Sequence, residues 1–184
     1  MKKMRYLLLG LFTIALLFSC TENITDNSML KSGVAIGEST PLSDNGIIPH
    51  IIPGENRGGN RTCEEVADYF DTSFDLCWDK IDYEDGEWEG EFPEGLEVTV
   101  DGIYVSFEMD GCIEIGGSYY KVGAVIVKGA NAANVYYYPE GTLADGGLAA
   151  PGDQFMVSNL TFCFVECEIP EDLIIAIKSW YWIG

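Results

Sequence analysis

The run LEVTVDGIYVSFEM, residues 96–109, decides the fold class. Leu96, Val98 and Val100 alternate with Glu97, Thr99 and Asp101; Ile103, Val105, Phe107 and Met109 then alternate with Tyr104, Ser106 and Glu108. Successive side chains of a strand point to opposite faces, so this period of two describes two half-buried strands. Asp101-Gly102 between them predicts a hairpin with a type I′ turn, because both central residues of that turn need positive φ.

The same grammar extends in both directions. Asp110-Gly111 leads into CIEI (112–115), and Gly116-Gly117 turns the chain into YYKVGAVIVKG (119–129). Residues 134–138 and 156–166 read as further strands, with the Gly/Ala/Pro-rich PEGTLADGGLAAPGDQ (139–154) as a loop between them. Residues 173–183 add a last strand. On the N-terminal side, SFDLCWDKID (73–82) alternates Phe74, Leu76 and Trp78 against Asp75, Cys77 and Asp79, and Glu64 to Phe70 suit a short helical turn after Thr62. About seven or eight short strands with turn signals between them and no long helix predict an all-β, antiparallel β-sandwich over residues 61–184.

Residues 20–60 differ in composition. TENITDNSMLKSGVAIGESTPLSDNG (21–46) is polar and small, and IIPHIIPGENRGGNR (47–61) adds prolines and glycines. Such a segment buries too little apolar surface to offset its ordering entropy, which predicts a tether. Ile47, Ile48, Ile51 and Ile52 are the exceptions, apolar enough to dock on the domain.

Residues 1–19 have the order of a secretory signal. Lys2, Lys3 and Arg5 precede a thirteen-residue apolar run, Tyr6 to Phe18, which is shorter than a spanning helix requires. Leu17-Phe18-Ser19-Cys20 resembles the lipobox of bacterial lipoproteins. The resemblance implies cleavage before Cys20, diacylglycerol and palmitate-type acylation on that residue, and membrane attachment through lipid. Thr21 lacks the aspartate that resembles an inner-membrane retention signal, which favours the outer membrane of a Gram-negative source.

Export would leave seven basic residues against 30 acidic ones, a net charge near −23. That field repels phosphate backbones and excludes nucleic acid as a partner. The acidic run 82–91 invites a calcium reading through Asp82, Asp85 and Glu87, since hard cations take several oxygen ligands around a glycine turn. It lacks the order of an EF-hand loop, and a solvated hairpin tip is the plainer reading. Hydrolysis by Ser-His-Asp or Cys-His logic needs a base inside the fold, and the only histidine, His50, falls in the tether. No enzyme and no cofactor are expected. A carboxylate pair for glycoside cleavage needs only two acids, but with 30 present their occurrence carries no weight. Trp88, Trp180 and Trp182 are the aromatics flanked by acids or chain ends, and so the ones to stack on a polysaccharide; Trp78 and Tyr137 read as core.

Five cysteines remain after Cys20: Cys63, Cys77, Cys112, Cys163 and Cys167. An exported chain sits where disulfides persist, and an odd number means two bridges and a leftover thiol, expected to be buried and inert. Zinc is disfavoured because no C-x-x-C occurs and His50 is remote. Cys163 and Cys167 lie too far apart on an extended strand to bridge to each other. Cys112 suits a bridge to Cys77 or to Cys167.

Asn60-Arg61-Thr62-Cys63, Ala124 to Gly129 with Asn134 to Tyr138, Gly147 to Pro151 and Ser158 to Cys163 resemble, in order, a β domain found in bacterial surface and secreted proteins beside adhesin-type modules. The resemblance implies a bridge between opening and closing cysteines, Cys63 and Cys163, and a surface or secreted location; for the chain as a whole the expected role is adhesion, binding or envelope structure with a protein or polysaccharide ligand. Asn159 stands where the family pattern suggests histidine, and Cys77, Cys112 and Cys167 are additions to it.

Overall fold

The computed structural model describes residues 42–52, 59–152 and 156–168. The chain divides into two compact units, Met1–Gly33 and Val34–Gly184, and every described residue belongs to the second. Among the described residues there are one helix and ten strands: α1 (Cys63–Phe70), β1 (Leu76–Cys77), β2 (Ile81–Glu84), β3 (Glu87–Glu89), β4 (Leu96–Asp101), β5 (Tyr104–Met109), β6 (Ile113–Ile115), β7 (Ser118–Gly129), β8 (Ala132–Thr142), β9 (Ala144–Ala149) and β10 (Asn159–Glu166).

All pairings are antiparallel, in a sheet of seven strands and a sheet of three ordered β4-β5-β9. The protein is thus an all-β antiparallel sandwich, with more strands among the described residues than the alternation suggested. In the large sheet the long strands β7 and β10 lie side by side, with Phe162 opposite Val125. Strands β6 and β8 follow one another along the outer edge of β7. Strands β1 and β2 do the same along β10, and β3 closes that side.

The large sheet is buried on both faces. Val125, Val127, Tyr136, Tyr138, Leu160, Phe162 and Phe164 face the small sheet and meet Leu96, Val105, Phe107, Met109 and Leu148 in the main core. Alternate residues Ala124, Ile126, Val135 and Cys163 face the other way, against Val66 of α1 and Ile52. Two covered faces explain why AVIV (124–127) reads as a continuous apolar run, while LEVTV, solvated on one side, alternates.

Three expectations are corrected. First, the β4–β5 register pairs Asp101 with Tyr104, so the turn residues are Gly102 and Ile103, and only Gly102 has positive φ (63°). That pattern fits a type II′ turn, which spares β-branched Ile103 a left-handed conformation. The slip of two residues keeps every apolar side chain on its expected face and pairs Leu96 with Met109. The type I′ Asp-Gly hairpin lies elsewhere, at Asp85-Gly86 (φ 50° and 89°) between β2 and β3. Second, the Gly/Ala/Pro-rich loop supplies the end of β8 and all of β9. Only Leu143 separates the two strands, where the chain crosses from one sheet to the other. Strand 73–82 is likewise two short strands, β1 and β2. The expected strand at 173–183 lies outside the described residues.

Third, the tether boundary at residue 60 does not hold for residues 42–52, which form a strap on the sandwich. His50 and Val135 exchange both backbone hydrogen bonds (2.9 and 2.8 Å) on the free edge of β8, and Asp44 N–H donates to the Gly146 carbonyl (2.8 Å). Ile52 is buried and Ile47 packs against the main core, while Ile48 stays exposed. Apolar isoleucines and an unpaired strand edge supply what the polar segment before them lacks.

Candidate functional site

The densest chemistry lies where α1 meets β1 and β10. Thr62 caps the helix: its hydroxyl accepts from Glu65 N–H (3.2 Å) while the Glu65 carboxylate accepts from Thr62 N–H (2.9 Å). The capping box puts Cys63 at the first helical position, where Val66 one turn on anchors the helix to the sheet. Strand β1 sets Cys77 directly opposite Cys163 on β10. The three Sγ atoms lie within 4.8 Å of one another, with Cys63 and Cys163 buried and Cys77 exposed. Cys63 Sγ is within bonding distance of both others, with Cα–Cα separations of 5.6 Å to Cys163 and 5.8 Å to Cys77. Beside them is a hollow of about 330 Å³ lined by Cys63, Glu64, Ala67, Thr72, Ser73, Phe74 and Cys77.

Cys63 and Cys163 are therefore placed together, but Cys77 joins them. A third sulfur at that point was invisible in the sequence because β1 is only two residues long. Cys112 pairs with Cys167 rather than Cys77 (Cα–Cα 6.4 Å), tying the β5–β6 crossing to the end of β10. The leftover thiol is thus one of the cluster, and Cys77, if it is the one left over, is exposed rather than buried.

The side chains of Asp82, Asp85 and Glu87 do not converge in this structure. Among the described residues the only group of three or more His, Cys, Asp or Glu with converging ligand atoms is the cysteine cluster. Asp82 forms an ion pair with Lys80, Asp85 occupies the hairpin turn, and Glu87 sits opposite Glu84.

Trp88 is half-buried, with Tyr83 at 4.6 Å and a 52° tilt and Phe92 at 5.2 Å and 82°. These rings do not share a plane. Trp78 is half-buried against the main core and donates its indole N–H to the Glu91 carbonyl (3.0 Å). Tyr137 stacks on Phe70 at 4.3 Å. Trp180 and Trp182 lie outside the described residues.

A polar cleft of about 340 Å³ opens on the outer face of the small sheet, lined by Asp44, Asn45, Glu97, Thr99, Ser106, Glu108, Asp145 and Gly146 among others. Its floor is built around buried Asp145. One carboxylate oxygen accepts from Asn45 N–H (2.9 Å) and Gly146 N–H (2.8 Å), and the other accepts from the Tyr138 hydroxyl (2.8 Å). Burial and the bond to the Asp145 carboxylate push the Tyr138 hydroxyl far above the usual phenol range. Burial also pushes Tyr136, whose hydroxyl binds Ala149, up to about 12. A Cβ at Gly146 would meet the Asp44 carboxylate and stand 2.9 Å from Ser106 Oγ, so both side chains would have to turn away from the cleft floor.

His50 is not free in a tether. Its ring lies edge-on to Phe70 (5.2 Å) and Tyr69 (6.1 Å), and its buried Nδ1 has no hydrogen-bond partner. Burial lowers its pKa. Comparison of the chain with protein-family models, with curated proteins and with solved structures gives no match.

Proposed function

We propose that the chain is a lipid-anchored bacterial envelope protein, most consistent with the outer membrane, whose β-sandwich is a non-catalytic module for adhesion, binding or envelope structure. The supporting observation is the outer face of the small sheet. There the strap, β4, β5 and β9 hold carboxylates, hydroxyls and an amide outward around an open cleft. Such a surface complements a cationic, hydrogen-bonding protein partner. A polysaccharide ligand is the weaker reading, because the rings around Trp88 stand at 52° and 82° to one another. The lipobox-like residues carry the anchoring part of the proposal.

The test has two parts. A chain expressed in a lipoprotein-processing bacterium should incorporate labelled palmitate and partition with membranes, and Cys20→Ala should do neither. Continued membrane association of Cys20→Ala would refute the anchor. For binding, charge reversal at Glu97 and Glu108 should abolish capture of a cationic surface protein without changing the melting temperature. Unchanged capture would refute the role of this face.

A further inference from the structure

Three sulfurs at one point cannot all be paired, since each sulfur forms a single bridge. Cys63 lies at a Cα–Cα distance of 5.6 Å from Cys163 and 5.8 Å from Cys77, and both values fall inside the disulfide range. Either bridge therefore closes without backbone movement, and either leaves a thiol within reach of the bond just made. We propose that Cys63, Cys77 and Cys163 form a thiol–disulfide exchange site. In it Cys63 is shared between two bridges, and Cys77 is the thiol that takes up a low-molecular-weight disulfide of neutral or cationic class.

The two states differ in what they show to solvent. With Cys63 bonded to Cys163 the bridge is buried and the thiol is on exposed Cys77. With Cys63 bonded to Cys77 the thiol is on Cys163, which is 0% exposed. Interconversion is balanced: the Cys77 thiolate attacks Cys63 Sγ, the Cys63–Cys163 bond breaks, and Cys163 takes up the proton that Cys77 gave. Cys63, at the N-terminus of α1, remains bonded throughout, and the charge passes from the Cys77 sulfur to the Cys163 sulfur. In uptake, the Cys77 thiolate attacks one sulfur of an external disulfide. A mixed disulfide forms on Cys77, and the second half leaves as a thiolate and is protonated.

The hollow of about 330 Å³ beside Cys77 is large enough for a small thiol group. Glu64 lines it and the chain carries a net charge of −20, so the approach of an anionic disulfide is opposed.

The test uses the full-length chain, purified without reductant, treated with cystamine or with dithiodiglycolate, acid-quenched, alkylated and mapped by peptide mass. Cystamine should add one cysteamine to Cys77 with the Cys63–Cys163 bridge intact, several-fold faster than the dianionic reagent adds. Brief incubation with a trace of thiol should yield peptides carrying the Cys63–Cys77 bridge as well. Cys163→Ser, confined to the Cys63–Cys77 bridge, should take no adduct at Cys77. Should that variant fail to fold, Cys77→Ser must keep the Cys63–Cys163 bridge and lose the adduct. A wild-type Cys77 inert to cystamine, or a single fixed bridge under thiol treatment, would overturn the proposal. So would a reduced chain that binds one zinc ion on the three thiolates and does not re-form a bridge in air.

Discussion

Removing the Cys112–Cys167 bridge by the double substitution Cys112→Ser/Cys167→Ser gives a stability loss that can be worked from connectivity. The bridge joins residues 55 apart, and on its own a loop of that size contributes about 4.2 kcal/mol in the chain-entropy account. It does not stand alone, because in the state with Cys63 bonded to Cys163, Cys112 lies inside a closed loop of sequence separation 100. From Cys112 the chain reaches that bridge by two arms of about 50 residues, which constrain the ends as a single chain of roughly 25. Adding the short run from Cys163 to Cys167 gives an effective loop of roughly 29 residues and a contribution of about 3.6 kcal/mol. Urea unfolding of the oxidised protein, followed by tryptophan fluorescence, should show that loss in the extrapolated stability. The m-value should rise, since the unfolded chain expands. The melting temperature should fall by roughly 10–15 °C. A loss below about 1 kcal/mol, with both proteins two-state, would refute the reasoning: the unfolded chain would then be constrained by something other than the bridge.

Three further outcomes are expected. Ile52→Ala removes a buried side chain from the second core cluster, and should cost about 2–3 kcal/mol and raise hydrogen exchange at His50 and Val135; unchanged exchange there would separate Ile52 from strap docking. Tyr138→Phe leaves one Asp145 oxygen without its donor and should cost about 1–3 kcal/mol in urea unfolding, with a loss under 0.5 kcal/mol (about twofold in the equilibrium) counting against the buried bond. His50, whose pKa is lowered by burial, is held neutral in the fold; its share of stability is complete above the ordinary value of 6.5 and is lost as pH falls from there toward the lowered value. Melting temperature should therefore fall between pH 7 and 5 more steeply in the wild type than in His50→Leu, and equal slopes would sink the assignment.

The sandwich was legible where one sheet face is solvated. In LEVTV and YVSFEM each residue declares its face, and a register slip of two leaves that declaration intact. Thr62, Glu65 and Val66 likewise carry enough local signal for α1. Strand β9 was not legible, because ADGGLA contains a buried aspartate and a glycine packed under Asp44 and Ser106, contacts made from 102 and 40 residues away. The strap hid for a related reason: its isoleucines are visible, but the edge of β8 that receives His50 exists only in the folded sheet. The cysteine cluster depended on a two-residue strand, too short to announce itself by period. Composition suggested the calcium reading of Asp82, Asp85 and Glu87, yet pairing across a hairpin sets acids side by side along a ribbon rather than around a point.

The strap also decides how the protein would respond to tension. A pull on the chain from its N-terminal side enters at Leu42 and first loads the contacts of Asp44, Asn45 and His50, which are hydrogen bonds and can peel one after another. Peeling stops at Cys63, where the load passes into a covalent bond to the sheet. Leu42 and Cys63 are twenty-one residues apart in sequence, an extended length of about 70–75 Å, of which the part not already spanned in the fold could be released. The strap is thus a length of chain whose hydrogen bonds would be loaded before the bridged sheet is.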